Sequence, residues 1–208
     1  YYTIVSKDKL FTPLEIKKSN KPLLYSEFID DSIKRHHIKL REQSILDNNV
    51  INDIVESSKN KKVLVICNTV DRAREVYDLL KDSAATAFLL HSRFIKKDRS
   101  MLENKIIEFA TSNELGIWVT TQLVEASLDI DFDVLFTEMS TLDSQFQRYG
   151  RCNRKGKKCI KEINVHVLTK DVSGISNKKS SVYHYEIYER SLNLLQSYYE
   201  VPLLETTK

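Results

Sequence analysis

The chain has 208 residues, of which 41% are hydrophobic and 29% are charged, and its formal net charge at pH 7 is +3. This composition, with only 4 glycines and 3 prolines, excludes a disordered chain and predicts one α/β domain with extensions, or at most two small domains. No apolar run approaches the length of a membrane-spanning helix, so we expect no membrane partner. Cys67, Cys152 and Cys159 have neither disulfide nor metal-site spacing, which predicts reduced thiols in a cytoplasmic protein.

The N-terminal part of the chain has the least regular pattern. Residues 1–35 mix polar and apolar residues without a clear period, lack a signal-peptide pattern and an initial Met, and are predicted to lead in from an upstream domain. Weak alternation over 36–40 predicts an edge strand, and apolar residues at helical spacing predict a helix over about 43–59.

From residue 61 onward, short apolar strands alternate with helices, which predicts right-handed βαβ units and a parallel sheet covered on both faces. A loop over 170–181 separates the last strand from the last helix, and the alternation over 163–168 favours a more exposed position for that strand than for the others. The predicted elements are strand 63–67, a helix with Ala73, Val76, Leu79 and Leu80 on one face, strand 87–90, helix 96–111 carrying Met101, Leu102, Ile106 and Phe109, strands 116–119, 134–136 and 163–168, and a Tyr-rich helix over 182–199.

Polar residues follow three of the predicted strands. In parallel sheets the ligand site lies beyond the carboxyl ends of the strands, so we expect these residues to line one edge. They are Asn68 and Thr69, then His91, Ser92 and Arg93, then Thr120 and Thr121.

The segment from Gln147 to Gly156, QRYGRCNRKG, places Arg148, Arg151 and Arg154 at every third position. Guanidinium groups bind phosphate oxygens in a fixed fork, and three of them at this spacing on a helix lie on nearly the same side. The segment therefore predicts a phosphate-binding site, with a solvated basic helix face as the alternative.

A second informative segment is VTTQLVEASLDIDFD, residues 119–133. Two hydroxyls at a strand end, followed by a helical turn carrying Gln122 and Glu125, can present donors to a phosphate. Asp129, Asp131 and Asp133 alternate with bulky apolar residues, which disfavours a metal site. A single Asp bound to a ribose is favoured, and an exposed acidic edge remains the alternative.

These segments resemble motifs V and VI of superfamily-two helicases. VLVICNTVDRA at 63–73 resembles their motif IV, and LLHSRF at 89–94 resembles motif IVa. The motif sequences are most similar to those of the CRISPR-associated helicase-nuclease of type I interference systems, and the resemblance covers roughly residues 36–170. The resemblance implies a RecA-like three-layer αβα domain at 36–170, with a mainly parallel sheet, followed by a loop and C-terminal helix at 171–208.

The resemblance also implies roles for single residues. As the second domain of a two-domain motor, the chain would bind ATP in the cleft between domains. Arg151 and Arg154 would reach the γ-phosphate, with Arg154 as the arginine finger. Gln147 would lie by the phosphates or couple the ATP and nucleic-acid sites, and Asp129 would hold the ribose hydroxyl. Ser127 departs from the wider superfamily, in which many members have Gly.

Backbone contacts to a single DNA strand are implied as well. Such contacts read phosphate rather than base, which suits a translocating motor. The implied residues are Asn68, Thr69, Ser92, Arg93, Thr120, Thr121 and Gln122.

The sequence contains neither a G-x-x-x-x-G-K-[ST] loop nor a DExH or DExD sequence. We therefore expect a first RecA-like domain to supply the groups that cradle the β-phosphate and hold Mg²⁺, and we expect no ATP hydrolysis by this chain alone. The five histidines are scattered, so no metal site is assigned. A nuclease domain and an RNA-guided effector complex are further possible partners implied by the family.

Two other functions remain open. An RNA helicase half would keep the same motifs but contact ribose 2′-hydroxyls. A non-catalytic nucleic-acid-binding module would equally lack the phosphate-binding loop, although such a module has no need of a finger at Arg154.

Overall fold

The computed structural model describes residues 35–83, 86–126, 128–157 and 162–197. The predicted lead-in, apart from its last residue, lies outside these ranges, as do Ser127, Cys159 and the last two residues of the predicted C-terminal helix. None of the helices in the described ranges is long and apolar enough to span a bilayer.

A six-stranded parallel sheet organises the chain, with strand order β1-β6-β5-β2-β4-β3. In sequence order the elements are β1 (Ile38–Arg41), α1 (Asn48–Ser58), β2 (Lys62–Ile66), α2 (Val70–Lys81), β3 (Ala87–Leu90), α3 (Lys96–Thr111), β4 (Gly116–Thr120), α4 (Leu123–Ala126), β5 (Val134–Glu138), α5 (Leu142–Tyr149), β6 (Val165–Leu168), β7 (Ile175–Ser176), β8 (Tyr183–His184) and α6 (Tyr185–Ser197).

Both faces of the sheet are buried, because successive strand residues point to opposite sides. Val63 and Val65 of β2 pack with residues of α1 and α2 in one core cluster. Leu64 and Ile66 of the same strand pack with residues of α3, α5 and α6 in the other. Every residue of β2, β4 and β5 is buried. The predicted three-layer RecA-like fold with a C-terminal helix is confirmed.

The strands β1 and β6, at one side of the sheet, match the predictions to different degrees. The edge strand near residue 38 is confirmed, since β1 pairs only with β6 among the described strands. The more exposed position predicted for strand 163–168 holds only at the half-buried His166, because Val165 and Val167 are fully buried. The reason is β1 itself, which covers the outer side of β6 through pairs such as Ile38 with Val165.

Helix boundaries and faces differ in detail from the predicted ones. The helix predicted from residue 43 begins at Asn48, because a turn in which the backbone N–H of Ser44 donates to Asp47 Oδ2 precedes it. Leu79 and Met101 are 46% and 63% exposed, so neither lies on its predicted core face. The short parallel pair β7–β8, within and just after the predicted loop, was not predicted.

Candidate functional site

The arginine-rich segment does not form one helix face. Helix α5 ends at Tyr149, and Gly150 caps its C-terminus. The chain then turns, with the backbone N–H of Arg151 donating to the Arg148 carbonyl at 2.9 Å. Arg148 is fully buried, whereas Arg154 is exposed. The prediction that Arg148, Arg151 and Arg154 share one side of a helix is therefore wrong.

Arg148 is an interior cation in which each of the three side-chain nitrogens donates to a protein acceptor. Its Nε donates to Glu125 Oε1 at 2.8 Å, and Nη1 donates to Thr137 Oγ1 at 2.8 Å and to the Glu138 carbonyl at 3.0 Å. Its Nη2 donates to the Tyr183 hydroxyl at 2.9 Å. A buried charge is tolerated only when it is paired and hydrogen-bonded in this way. Arg148 therefore joins α4, β5, α5 and β8, and it does not belong to a solvated basic face.

Arg151 is held by main-chain carbonyl groups of the segment around α4. Its Nη1 donates to the Leu128 carbonyl at 2.6 Å, and Nη2 donates to the Glu125 carbonyl at 2.5 Å. Partial burial lowers the pKa of Arg151, and the neighbouring positive charge of Arg154 adds to this effect. An arginine nevertheless stays protonated near neutral pH. Arg151 is therefore a fixed positive charge whose position depends on the backbone at Glu125.

Arg154 is the exposed member of the group, with 41% of its side chain accessible. Its Nη1 lies 2.8 Å from Asp129 Oδ1, and its backbone N–H donates to Asp131 Oδ1 at 2.9 Å. Asp133 points elsewhere, since its Oδ2 accepts from the backbone N–H of Lys62. Within the described ranges, no three His, Cys, Asp or Glu side chains converge as metal ligands.

A cavity of about 330 Å³ brings the predicted nucleotide-facing residues together. Asp129, the predicted ribose ligand, does not line the cavity but forms an ion pair with Arg154, which does. Two lining residues, Arg35 and His36, were not predicted, because only the pairing of β1 with β6 brings them near the arginines. The cavity is lined by Arg35, His36, Glu125, Phe146, Gln147, Gly150, Arg151 and Arg154.

Four of the residues predicted to contact DNA face the protein interior or its backbone. Asn68 is 1% exposed, and its Nδ2 donates to the carbonyls of Met139 and Ser173 at 2.9 and 3.1 Å. Gln122 Nε2 donates to the Asn68 carbonyl at 2.6 Å. Thr120 and Thr121 are 0% and 3% exposed. These side chains order the carboxyl ends of the strands.

The other three predicted DNA-contacting residues reach the surface. Thr69 caps α2, because its Oγ1 accepts from the backbone N–H of Arg72 at 3.2 Å. Ser92 and Arg93 are exposed after β3. Arg93 Nη1 lies 2.7 Å from Asp71 Oδ1 in the first turn of α2. This ion pair connects the end of β3 to the start of α2, so that Thr69 and Arg93 belong to neighbouring elements of one surface.

His91 precedes these residues, and its side chain is buried rather than exposed at the surface. Its ring stacks on Phe94 with centroids 4.2 Å apart. Burial lowers the pKa of His91, and the positive charges of Arg74 and Arg93 act in the same direction. The ring is therefore a neutral support for the turn that carries Ser92 and Arg93.

Comparisons with known proteins relate this chain to CRISPR-associated nuclease/helicases. Residues 59–157 match the family described as CRISPR-associated nuclease/helicase Cas3, C-terminal. A CRISPR-associated nuclease/helicase Cas3 of Methanocaldococcus jannaschii is 32% identical to this chain over 212 residues, which cover 98% of this chain and 26% of that protein. The Escherichia coli CRISPR-associated endonuclease/helicase Cas3 is 40% identical over 112 residues, covering 50% of this chain and 13% of that protein.

Solved structures give the same relationship. The crystal structure of T. fusca Cas3-ATP superposes with a TM-score of 0.69 at 26% identity, covering 83% of this chain and 22% of that chain. The present chain therefore spans a minor part of the relatives that it matches, and that part is their helicase C-terminal region. The chain therefore carries a Cas3-like C-terminal domain, similar to the helicase C-terminal region of CRISPR-associated nuclease/helicases.

Proposed function

We propose that this chain is the second motor domain of an ATP-dependent helicase that translocates along single-stranded DNA in CRISPR interference. The observation that carries the proposal is the cavity in which Gln147, Arg151 and Arg154 meet. Similar structures include Cas3 of T. fusca with ATP and with AMPPNP, which supports a nucleotide as the occupant.

The donor set of the cavity fits the phosphates of ATP. Phosphoryl transfer requires positive groups that stabilise charge developing on the phosphate oxygens. Arg151 would supply a preorganised charge, because two main-chain carbonyls hold its guanidinium. Arg154 would act as the arginine finger by exchanging Asp129 for the γ-phosphate, an exchange that its exposure permits. Gln147 would lie by the phosphates, and the released Asp129 could accept hydrogen bonds from the ribose.

A first RecA-like domain would complete the site. It would supply the phosphate-cradling loop and the ligands of Mg²⁺, which neutralises phosphate charge when it is bound with ATP. A nuclease domain in the same assembly is the partner that the family description suggests. An RNA-guided effector complex is a further proposed partner, because one similar structure is described as a CRISPR RNA-guided surveillance complex.

The nucleic-acid strand would bind at the surface that carries Thr69, Ser92 and Arg93. A hydroxyl-rich surface with one guanidinium suits phosphate oxygens rather than base edges. The buried residues Asn68, Thr120 and Thr121 and the half-buried Gln122 would hold the backbone of this surface in place, and would contact the strand only through exposed main-chain groups.

DNA-stimulated ATP turnover tests the proposal, measured with this chain alone and then with a first RecA-like domain fused or added. We expect turnover only in the combination, and we expect Arg154→Ala to abolish it. Turnover by the chain alone would contradict the assignment as half of a motor. Single-strand binding without turnover in either preparation would instead favour a non-catalytic binding module, and stimulation by RNA but not by DNA would favour an RNA helicase half.

A further inference from the structure

The loop between β6 and α6 is attached on both of its sides to buried charged side chains. On the first side, Ser173 donates to the buried carboxylate of Glu138, from its backbone N–H at 2.8 Å and from its Oγ at 2.7 Å. On the second side, the hydroxyl of Tyr183 accepts from Nη2 of the buried Arg148 at 2.9 Å. Because buried charges are tolerated only when they are hydrogen-bonded, these contacts fix the loop to the interior of the domain.

Between the two attachments, residues 177–180 form a short turn that we call the lysine tip. The backbone N–H of Lys178 donates to Ser176 Oγ at 3.2 Å, and the Lys178 carbonyl accepts from the backbone N–H of Ser181 at 3.0 Å. The Ser181 hydroxyl donates to the Ser176 carbonyl at 3.0 Å, and the parallel pairing of β7 with β8 joins the two sides of the turn. The lysine tip is therefore held in a defined conformation by its neighbours.

The lysine tip carries two cations that have no acidic partner in the described part of the chain. Lys178 and Lys179 are both exposed, and neither ammonium group forms an ion pair with a residue of the described ranges. Asp171, the acidic residue that precedes them in the chain, pairs instead with Arg72 at 3.0 Å. Each lysine offers three rotatable N–H donors on a compact charge, which suits phosphate oxygens. Cations held on a preorganised turn favour an anionic ligand, because less order has to be gained on binding.

The base of the same loop lies against the surface proposed to bind the nucleic-acid strand. Thr69 Oγ1 donates to Ser173 Oγ at 3.2 Å. The backbone N–H of Asn68 donates to Glu138 Oε2 at 2.7 Å, so that one carboxylate holds both segments. A Cβ added to Gly174 would lie 3.1 Å from Thr69 Cγ2, which shows that the loop main chain packs directly on this threonine. The loop follows β6 and Thr69 follows β2, so both lie at the carboxyl edge of the parallel sheet.

We propose that Lys178 and Lys179 bind phosphates of the single nucleic-acid strand, so that the strand surface continues from Thr69 across the loop to the lysine tip. The proposal rests on the proposed function, because it adds contacts to the same strand. A strand is favoured over a nucleotide, because the described residues that line the cavity with Arg151 and Arg154 include none of this loop. A strand is favoured over an acidic protein surface, because its regularly spaced phosphates can contact the hydroxyl of Thr69 and the two lysines in succession.

The test uses the chain combined with a first RecA-like domain, and measures oligo-dT binding by fluorescence anisotropy over a range of salt concentrations. The double variant Lys178→Gln/Lys179→Gln removes both charges, and Lys178→Arg/Lys179→Arg keeps them. The matched control is Lys39→Gln/Lys59→Gln, which removes two charges from exposed positions in β1 and at the C-terminal end of α1. Thermal unfolding and the affinity for a fluorescent ATP analogue are measured in parallel.

We expect the Gln double variant to reduce the slope of log affinity against log salt by about 1.4, because two contacts to single-strand phosphates contribute about 0.7 each. The Arg double variant and the control should keep the wild-type slope. The unfolding temperature and the affinity for the ATP analogue should stay unchanged in all variants, because the lysine side chains are exposed and do not line the arginine-containing cavity.

Four outcomes would overturn the proposal. If Arg93→Ala lowers the slope and the Gln double variant does not, the lysine tip is no part of the strand surface and the proposed function stands. If the control lowers the slope equally, the effect reflects net charge alone. If the Gln double variant weakens association with the first RecA-like domain at an unchanged slope, the lysine tip binds protein. If the wild-type combination does not bind oligo-dT, the proposed function fails and this proposal fails with it.

Discussion

The carboxylate of Glu125 and the guanidinium of Arg148 form an ion pair at 2.8 Å in which Arg148 has no accessible side-chain surface. The pair joins α4 to α5, and the main-chain carbonyl of the same glutamate accepts a hydrogen bond from Arg151. One residue therefore connects a structural arginine with a candidate nucleotide-binding arginine through two different atoms.

Removing one partner of this pair should strongly destabilise the domain. We expect Arg148→Ala to lower the free energy of unfolding by about 3–5 kcal/mol, because it leaves a buried carboxylate without its cation. Urea unfolding of the chain measures the loss. Lys81→Ala, which removes an exposed pair with Asp78, is the control and should change stability little. Equal stabilities for the two variants would contradict the assigned role of Arg148.

The exposed arginine should behave in the opposite way. Arg154→Ala should leave unfolding unchanged but lower ATP turnover of the combined motor by about 10³- to 10⁵-fold, as expected when an arginine finger is removed. The adjacent Lys155→Ala is the matched control, since Lys155 is also exposed. A change in DNA affinity without any change in turnover would assign Arg154 to nucleic-acid binding instead.

Arg93 provides a test of the proposed strand surface. If Arg93 neutralises one phosphate, Arg93→Ala should reduce the slope of log affinity against log salt by about 0.7 for a single strand. Binding of an oligo-dT is measured by fluorescence anisotropy from low to moderate salt. Lys59→Ala, at the exposed C-terminal end of α1, should keep the wild-type slope. An unchanged slope for Arg93→Ala would remove this residue from the surface.

His166 should make stability depend on pH. Its ring stacks on Phe136 with centroids 4.4 Å apart. Burial lowers its pKa to about 4, and the charge of Arg41 adds to the effect. Because the pKa is lower in the folded than in the unfolded state, the stabilising contribution is complete above about pH 6.5 and is lost as the pH falls toward 4. The loss amounts to at most about 3 kcal/mol.

Urea unfolding between pH 7 and pH 4 tests this dependence. His166→Phe should flatten the curve, because Phe has no proton to gain. His184→Gln, at an exposed position, should keep the wild-type curve. Parallel curves for wild type and His166→Phe would show that other groups cause the dependence.

Replacing Gly174 should lower the stability of the domain. Its φ is +73°, and an added Cβ would lie 3.0 Å from Val182 Cγ2 and 3.1 Å from Thr69 Cγ2. We expect Gly174→Ala to destabilise the domain by about 1–2 kcal/mol through the left-handed backbone alone, with the close contacts adding to it. The nearby Ser180→Ala is the control. An Ala variant as stable as wild type in urea would contradict this reading of the loop.

The sequence was most informative where the pattern is local. The run from Val63 to Cys67 predicts a buried strand because its apolar β-branched residues are contiguous, and β2 occupies that position with only small shifts at its ends. The fold class follows from the repetition of such strands with amphipathic helices. The grouping of Gln147, Arg151 and Arg154 was likewise predictable, because the residues are close in the chain.

Features that depend on distant partners could not be predicted. The spacing of Arg148 equals that of the other two arginines, and only Glu125, Thr137 and Tyr183 around it reveal a buried ion pair. The alternation over 163–168 is typical of a half-exposed strand, but β1 covers it from more than a hundred residues away. The position of Arg35 in the cavity wall could not be predicted for the same reason, because it depends on the pairing of β1 with β6.

The adjacency of β1 and β6 also limits how the domain can be divided. The family match ends at residue 157, yet β6 begins at Val165 and separates β1 from β5. A truncation at the end of the match would remove β6, detach β1 and leave the wholly buried β5 as a bare sheet edge. Unpaired hydrophobic edges recruit strands from other molecules, so such a fragment would tend to aggregate. An expression boundary that preserves this sheet must therefore lie beyond Leu168.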